Sequence, residues 1–310
     1  MPSPVVAVVG SLNRDLMLRT PRRPGPGETV TGATLAVTGG GKGANQAWAV
    51  ASLGVAVHLV GRIGDDDAGA ELLAGLRHPL LATDGVLVTP GVASGTAVIA
   101  VTPDGENSII VADGANELLA PADLDGAAPV LSTAAVLLVQ LEISLATVGR
   151  AAELAGPETL VVLSAAPFRP LPPELLRRVD VLVANEPEAT ALAGTAAGGR
   201  AALFGRLRAL GTGVVVVTLG ADGAAVVTAE GVLAVPGRPA RVLDTTGAGD
   251  AFAGALAAWL AAAGTARSAL GNGTVLDAVR AGIAAATFAV GRPGARASYG
   301  TRAEIGAPWE

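Results

Sequence analysis

Cysteine is absent from this chain, histidine occurs only at His58 and His78, and aromatic residues make up 3%. Without cysteine there is no disulfide framework and no thiolate nucleophile, which agrees with a reducing compartment. Two histidines with no cysteines beside them argue against a zinc site. Charge is also scarce, at 15% of residues against the roughly 25% typical of soluble domains. With 51% hydrophobic residues the chain is a packed globule rather than a disordered one. The net charge of −6 gives no excess of basic residues to neutralise a phosphate backbone, so a small-molecule partner is expected and a nucleic acid is not. The apolar run from Ala251 to Ala263 is too short to cross about 30 Å of hydrocarbon, and Gly254 and Gly264 punctuate it, so no membrane span is expected. The opening "MPSPVVAVVGSLNRD" has neither a basic segment nor a cleavage site of the secretory kind, and a cytoplasmic location is expected.

What is present is an alternation. β-Branched runs at "VVAVV", "VAVHLV", "AVLLV", "TLVVL", "VDVLVA" and "GVVVVT" are separated by helical stretches such as "GANQAWAVASLG", "SLATVGRAAELAG" and "AALFGRLRALG". A length of 310 residues fits one large α/β domain or two modest ones, and no linker divides the chain. The alternation predicts an α/β fold, a doubly wound, mostly parallel sheet with helices on both faces, whose ligands meet the carboxyl ends of the strands. Thr- and Val-rich stretches at about residues 16–38 and 94–112 break the pattern, and "TPDGEN" reads as a hairpin turn. They predict a small second sheet projecting from a single domain, a lid or a dimer surface if they are more than surface hairpins.

Five motifs carry possible chemistry. Asn13 and Asp15, two apart in extended chain, share a face and suit the donors and acceptors of a polyol, although both are also ordinary turn residues. "TGGGKGANQA" surrounds Lys42 with Gly39, Gly40, Gly41 and Gly43 and places Asn45 just inside a helix; it is neither a Walker A nor a GxGxxG. "ANEPEAT" spaces Asn185 and Glu188 as a capping box would, and equally as a site for hydrated magnesium near phosphates. "TLGADG", residues 218–223, is either a plain turn or a backbone cradle for a nucleotide. Finally, "DTTGAGDAFAG" sets a glycine-rich turn at a helix start, a natural anion site, with Asp250 beside it.

The order of "GSLNRD", "PGETV", "GGKGANQA", "NEPE", "TLGADG" and "DTTGAGDAFAG" resembles the ribokinases, within the PfkB family of carbohydrate kinases, from Val5 to about Ser298. The resemblance implies a homodimer paired through the lid strands. It implies that Asn13, Asp15, Gly41, Lys42, Asn45 and Glu142 bind a sugar, and that Asn185, Thr218, Gly220, Ala221, Asp222, Gly223 and Gly249 contact ATP. Glu188 would position Mg2+ through water. Asp250 would be the base, with the amides of Gly247, Ala248 and Gly249 as an anion hole. Asp244, Thr246, Ala289, Arg292, Gly294 and Ser298 match a site for K+ built mainly from carbonyls. A late, weak base suffices for loose phosphoryl transfer, and a helix dipole favours the ionised form of such a carboxylate. Ser164 and Ala165, where many ribokinases have Asn and Pro, and Ile283, at a position often polar near adenine, depart from the pattern. D-ribose phosphorylated at O5 is the expected product chemistry; another sugar or a nucleoside, or a non-catalytic sensor on this scaffold, are the alternatives. A nicotinamide dehydrogenase is disfavoured because no GxGxxG follows the first strand.

Overall fold

The computed structural model describes residues 5–104, 106–194, 197–306 and 308–309. Residues 1–4 of the opening stretch and Gly105 of "TPDGEN" lie outside them. The valine-rich runs become a nine-stranded sheet of order β13-β12-β11-β10-β9-β8-β1-β4-β5. Its strands are β1 (Val5–Val9), β4 (Ala56–Gly64), β5 (Leu81–Thr89), β8 (Val136–Val139), β9 (Leu160–Ser164), β10 (Val181–Asn185), β11 (Val214–Thr218), β12 (Ala224–Val227) and β13 (Val232–Val235). All pairs from β11 across to β5 are parallel, while β12 runs antiparallel to both its neighbours.

Parallel strands covered on both faces bury every residue, and alternate side chains feed two cores. In β1, Val6 and Val8 join the core under the helices Lys42–Ser52, Ala248–Ala262 and Asn272–Val290. Ala7 and Val9 join the opposite core, under Leu145–Leu154 and Gly199–Arg208. The Asn272–Val290 helix is long and apolar enough to cross a membrane, but half of its apolar window is buried in this fold, where it packs along the Ala248–Ala262 helix.

The second sheet has the order β3-β2-β6-β7, with β2 (Asn13–Arg19), β3 (Thr34–Gly40), β6 (Gly95–Val101) and β7 (Asn107–Ala112). It covers the two stretches that broke the alternation. It begins earlier than expected, at Asn13, because only Gly10, Ser11 and Leu12 separate β1 from β2. Asn13 and Asp15 therefore sit on the second sheet itself rather than at the end of a strand of the large one.

The large sheet switches direction at β1: the chain returns to β4 on one side and to β8 on the other. The carboxyl ends of β1 and β8 diverge there, opening the crevice in which ligands of such sheets bind.

Candidate active site

Ser11, just past β1, and Glu142, just past β8, meet at that crevice: the Ser11 hydroxyl donates to Glu142 Oε2 at 2.5 Å. Together they finish the start of the Lys42 helix, which has no side-chain cap of its own. The Lys42 amide donates to Glu142 Oε2 (3.0 Å), the Gly43 amide to Ser11 Oγ (3.3 Å) and the Ala44 amide to the Ser11 carbonyl (2.9 Å). Helix-start N–H groups need such partners, and a carboxylate is favoured there. Glu142 is thus a cap as well as a candidate sugar ligand.

The glycine run has packing reasons that the sequence did not disclose. A Cβ on Gly40 would lie 2.0 Å from Asp15 Oδ2, and one on Gly39 would lie 1.6 Å from Arg296 Nη2. One on Gly43 would lie 2.6 Å from backbone atoms of Gly10 and Ser11. These glycines therefore make room for the protein's own carboxylate, guanidinium and backbone, not only for a ligand. Asn13 is oriented by Asn116, whose Nδ2 donates to Asn13 Oδ1 at 2.7 Å while its own Oδ1 accepts from the Leu12 amide.

Asp250 opens the Ala248–Ala262 helix and is buried, at 8% exposure. Its neighbours follow from a helix crossing. Gly254 lies one turn on, on the same face, and a Cβ there would sit 2.6 Å from Ala49 Cβ and 2.9 Å from the Gln46 carbonyl. The missing side chain lets the Lys42 helix approach, so that Asn45 Nδ2 donates to Asp250 Oδ2 (3.1 Å) and Gln46 Nε2 to Oδ1 (3.0 Å). Gln46 was not singled out from sequence; its spacing from Lys42 is that of the next helical turn. Among the described residues Asn45 Oδ1 and Gln46 Oε1 are buried without partners.

Charge is concentrated here. Burial works against the Lys42 cation, yet Asp250, Glu142, Glu188 and Asp15 outweigh it and hold the amine above its ordinary range. Burial, and then Glu142, push the Asp15 carboxyl up to about 7, with Arg296 and Lys42 opposing. Burial likewise raises Asp250, opposed chiefly by Lys42 and the amide of Asn45. The expectation of a carboxylate made weak by the helix dipole is thus corrected: desolvation wins, and Asp250 is a stronger base than an exposed aspartate.

The turn before Asp250 is shaped by Gly247, whose φ of 74° suits glycine and whose carbonyl accepts from Ala251 N (2.8 Å). The Ala248 amide donates to the Thr245 carbonyl at 3.2 Å. Among the described residues no hydrogen bond is made by the amides of Gly247, Gly249 or Asp250, and a Cβ on Gly249 would meet open space. Donors free for an anion are therefore those of Gly247, Gly249 and Asp250, whereas the Ala248 amide is engaged.

A cleft of about 550 Å3 adjoins this turn. Asn185 and Thr218, at the carboxyl ends of β10 and β11, line it with Gly220, Ala221, Gly223 and Gly249. Asp222 does not line it. The turn Gly220–Asp222 aims that carboxylate at Arg200, whose Nη1 donates to Asp222 Oδ2 (3.0 Å) while Nε and Nη2 grip Glu186 (2.7 and 3.1 Å). The opposite wall is apolar: Val242, Phe252, Ile283, Ala286 and Val290. Only Ile283 was noted in the sequence, because Val242 comes from an irregular stretch without periodicity.

Asn185 and Glu188 form the capping box, Asn185 N donating to Glu188 Oε2 (2.9 Å) and Glu188 N to Asn185 Oδ1 (2.8 Å). Glu188 is also within the field of Lys42 and Asp250, and burial raises its carboxyl. Both readings of this spacing thus meet in one residue that caps a helix and faces the charged pocket.

Asp244 ties two loops. Its Oδ1 accepts from Thr246 N (2.9 Å) and its Oδ2 from Gly294 N (2.8 Å), while Val290 O accepts from Asp244 N (3.2 Å). Burial opposes ionisation of Asp244, but hydrogen bonds from Thr246 and Gly294 hold the carboxyl below its ordinary range. The Ala289 carbonyl accepts from Arg292 N, the Arg292 guanidinium lies over the Phe288 ring, and Ser298 is fully buried with its hydroxyl on the Ala295 carbonyl.

The geometry thus joins a polar pocket and a cleft at one helix start, and the chain that builds it is similar to known proteins. The model of the pfkB family carbohydrate kinases matches residues 4–302. Ribokinase of Mus musculus is 39% identical over 83% of this chain and 81% of its own. Deoxyribokinase of Salmonella typhi is 33% identical over 95% of each. The solved structure of Arabidopsis thaliana ribokinase complexed with ribose and ATP superposes with a TM-score of 0.86 at 31% identity, over 98% of both chains. The chain belongs to the PfkB family of carbohydrate kinases and is a phosphotransferase with an alcohol group as acceptor.

Proposed function

We propose that this chain transfers the γ-phosphoryl group of ATP to the 5-hydroxyl of D-ribose. The observation that supports this best is the buried Asp250 carboxylate, held by Asn45 and Gln46 between the pocket of Asp15 and Lys42 and the unpaired amides of Gly247 and Gly249. Asn13, Asp15, Gly41, Lys42, Asn45 and Glu142 bind the sugar hydroxyls. Asp250 accepts the hydroxyl proton as the sugar oxygen bonds to phosphorus and the β,γ-bridging oxygen departs with ADP. The equatorial charge falls on the free amides and on Lys42.

The base of the nucleotide packs on Val242 and Ile283, and its phosphates reach Thr218, Gly220, Ala221, Gly223 and Gly249. Asn185 completes the contact. Glu188, within the field of Lys42 and Asp250 at the carboxyl end of β10, would hold Mg2+ through water. Magnesium held there would supply neutralisation of phosphate charge. An ion such as K+ beside the two loops that Asp244 ties together would steady the turn leading to Gly247. The exposed faces of Leu35, Val37, Ile109 and Ile110 on the edge strands of the second sheet suit pairing of two copies, the sheet serving as lid and clasp. A cytoplasmic location would supply the ATP that this reaction consumes.

The deoxyribokinase relative makes 2-deoxyribose the acceptor to compare. A coupled ADP-release assay is expected to give ribose the highest kcat/KM among ribose, 2-deoxyribose, fructose and nucleosides, and to lose activity when K+ is replaced by a large organic cation. Sugar binding without ADP release would instead mark a sensor. The pH profile is a second test. Asp15 must be ionised to accept two hydroxyls, and with its carboxyl at about 7 the ionised fraction falls as pH drops below that value. At subsaturating ribose, kcat/KM should fall about tenfold per pH unit well below 7 and level off above it. Asp15→Asn should abolish that limb.

A further inference from the structure

The short turn Arg296–Ser298 and the residue after it, Tyr299, follow the loop of Gly294, and while Ser298 was matched to the cation site, Arg296 and Tyr299 belong to none of the motifs above. Both long side chains leave this turn for the backbone of a different functional segment. Arg296 Nε donates to the Gly39 carbonyl at 3.2 Å and its Nη1 to the Gly75 carbonyl at 3.5 Å. Its guanidinium fills the space that any side chain at position 39 would need. Gly39 pairs with Arg14, between the pairs Asn13–Gly40 and Asp15–Thr38, so Arg296 fixes β3 where that strand backs both sugar-facing residues of β2.

Tyr299, the only tyrosine, reaches the other way. Its hydroxyl donates to the Gly247 carbonyl at 2.9 Å and lies 2.6 Å from where a Cβ on Gly247 would stand. That carbonyl also accepts the Ala251 amide that begins the helix, and Gly247 has no side-chain cap to fix it. Between the two, Ser298 is fully buried and bonded back to Ala295, which keeps the turn from stretching.

We propose that Arg296 and Tyr299 are positioning residues of one rigid strut that sets the spacing between the sugar-binding strands and the anion-binding turn. Arg296 acts on acceptor binding, and Tyr299 acts on phosphoryl transfer. A strut of this kind matters because transfer depends on the hydroxyl and the phosphorus being held within a few tenths of an ångström of their reactive separation. The assignment of the two ends to sugar and phosphate rests on the function proposed above.

The test is a pair of substitutions in the full chain, each read by steady-state kinetics, ribose titration calorimetry and amide hydrogen exchange. Tyr299→Phe keeps the ring and removes only the hydroxyl; kcat should fall about tenfold with the KM for ribose within twofold. Arg296→Gln should raise that KM and the ribose Kd about tenfold with kcat within threefold. Arg296→Lys, which keeps a donor for Gly39, should recover part of the loss and serves if Arg296→Gln does not fold. Exchange should quicken at the hydrogen-bonded amides of Ala248 and Ala251 in the tyrosine variant alone and in β3 in the arginine variant alone. Lowered thermal midpoints with wild-type constants, or KM and kcat moving together in both variants, would overturn the strut. Wild-type protein that neither binds nor phosphorylates ribose would overturn the function instead, while the exchange pattern would still decide the strut.

Discussion

Asp250→Asn is expected to leave ribose bound and to slow its phosphorylation by roughly 10² to 10⁴, the usual cost of losing a general base. The substitution keeps the shape of the side chain and one acceptor oxygen. It turns an NH2 toward one of the two amide donors, Asn45 Nδ2 or Gln46 Nε2, that now hold the carboxylate. One hydrogen bond is lost for that reason, at about 1 kcal/mol. Against it stands the relief of desolvation. A carboxyl raised by burial is a charge that the fold holds at a cost at every pH above its unfolded value, and a neutral amide removes that cost. The thermal midpoint should therefore stay within a few degrees of the wild type while turnover collapses. Unchanged turnover would remove Asp250 as the base, and loss of ribose binding in calorimetry would make it a sugar ligand first.

The second large effect is structural. Gly41 has φ 87° at the start of the Lys42 helix, and a Cβ there would lie 2.6 Å from the Asn13 amide and 2.7 Å from Leu12 Cα. Gly41→Ala must pay about 1–2 kcal/mol for a left-handed backbone and about 1–3 kcal/mol more for the overlap, because backbone, unlike a flexible side-chain end, cannot step aside. The thermal midpoint should drop on the order of 10 °C. Activity should be lost even below the transition, since the displaced atoms carry Asn13. Circular dichroism melting with ribose titration checks both parts. A variant with wild-type melting and binding would show that the loop adopts another path.

Much of this fold was legible because its two periodicities differ. The valine-rich runs at 135–139 and 213–218 can only be strands buried on both faces, and they are β8 and β11. The second sheet was visible as interruptions at 16–38 and 94–112, yet its first residue was not. Nothing in "GSLNRD" marks Gly10 to Leu12 as the gap between two sheets; that gap is imposed by pairing of Asn13 with Gly40 and Gly95, which is not local. β5 was missed because its sequence, "LATDGVLVT", carries an acid and a glycine, and it takes its place only by pairing with β4.

The site divides in the same way. Lys42 and Asp250 announce themselves through glycine-rich turns, since chemistry at a helix start needs backbone conformations that few residues allow. Asp222 was misplaced because a turn of three residues has no periodicity to say which way a carboxylate points, and Arg200 decided it. Asn116, Arg296 and Tyr299 lie far along the chain from the groups they touch, so no spacing could disclose them.

Asn13 and Asp15 belong to the four-stranded sheet, while Asp250 belongs to the helix layer of the large one. Any tilt of the smaller sheet about the Gly10–Leu12 neck carries those two side chains with it and changes their distance from the carboxylate that Asn45 and Gln46 hold still. Acceptor pocket and base are therefore built on different sheets, and the packing of one sheet on the other sets their separation.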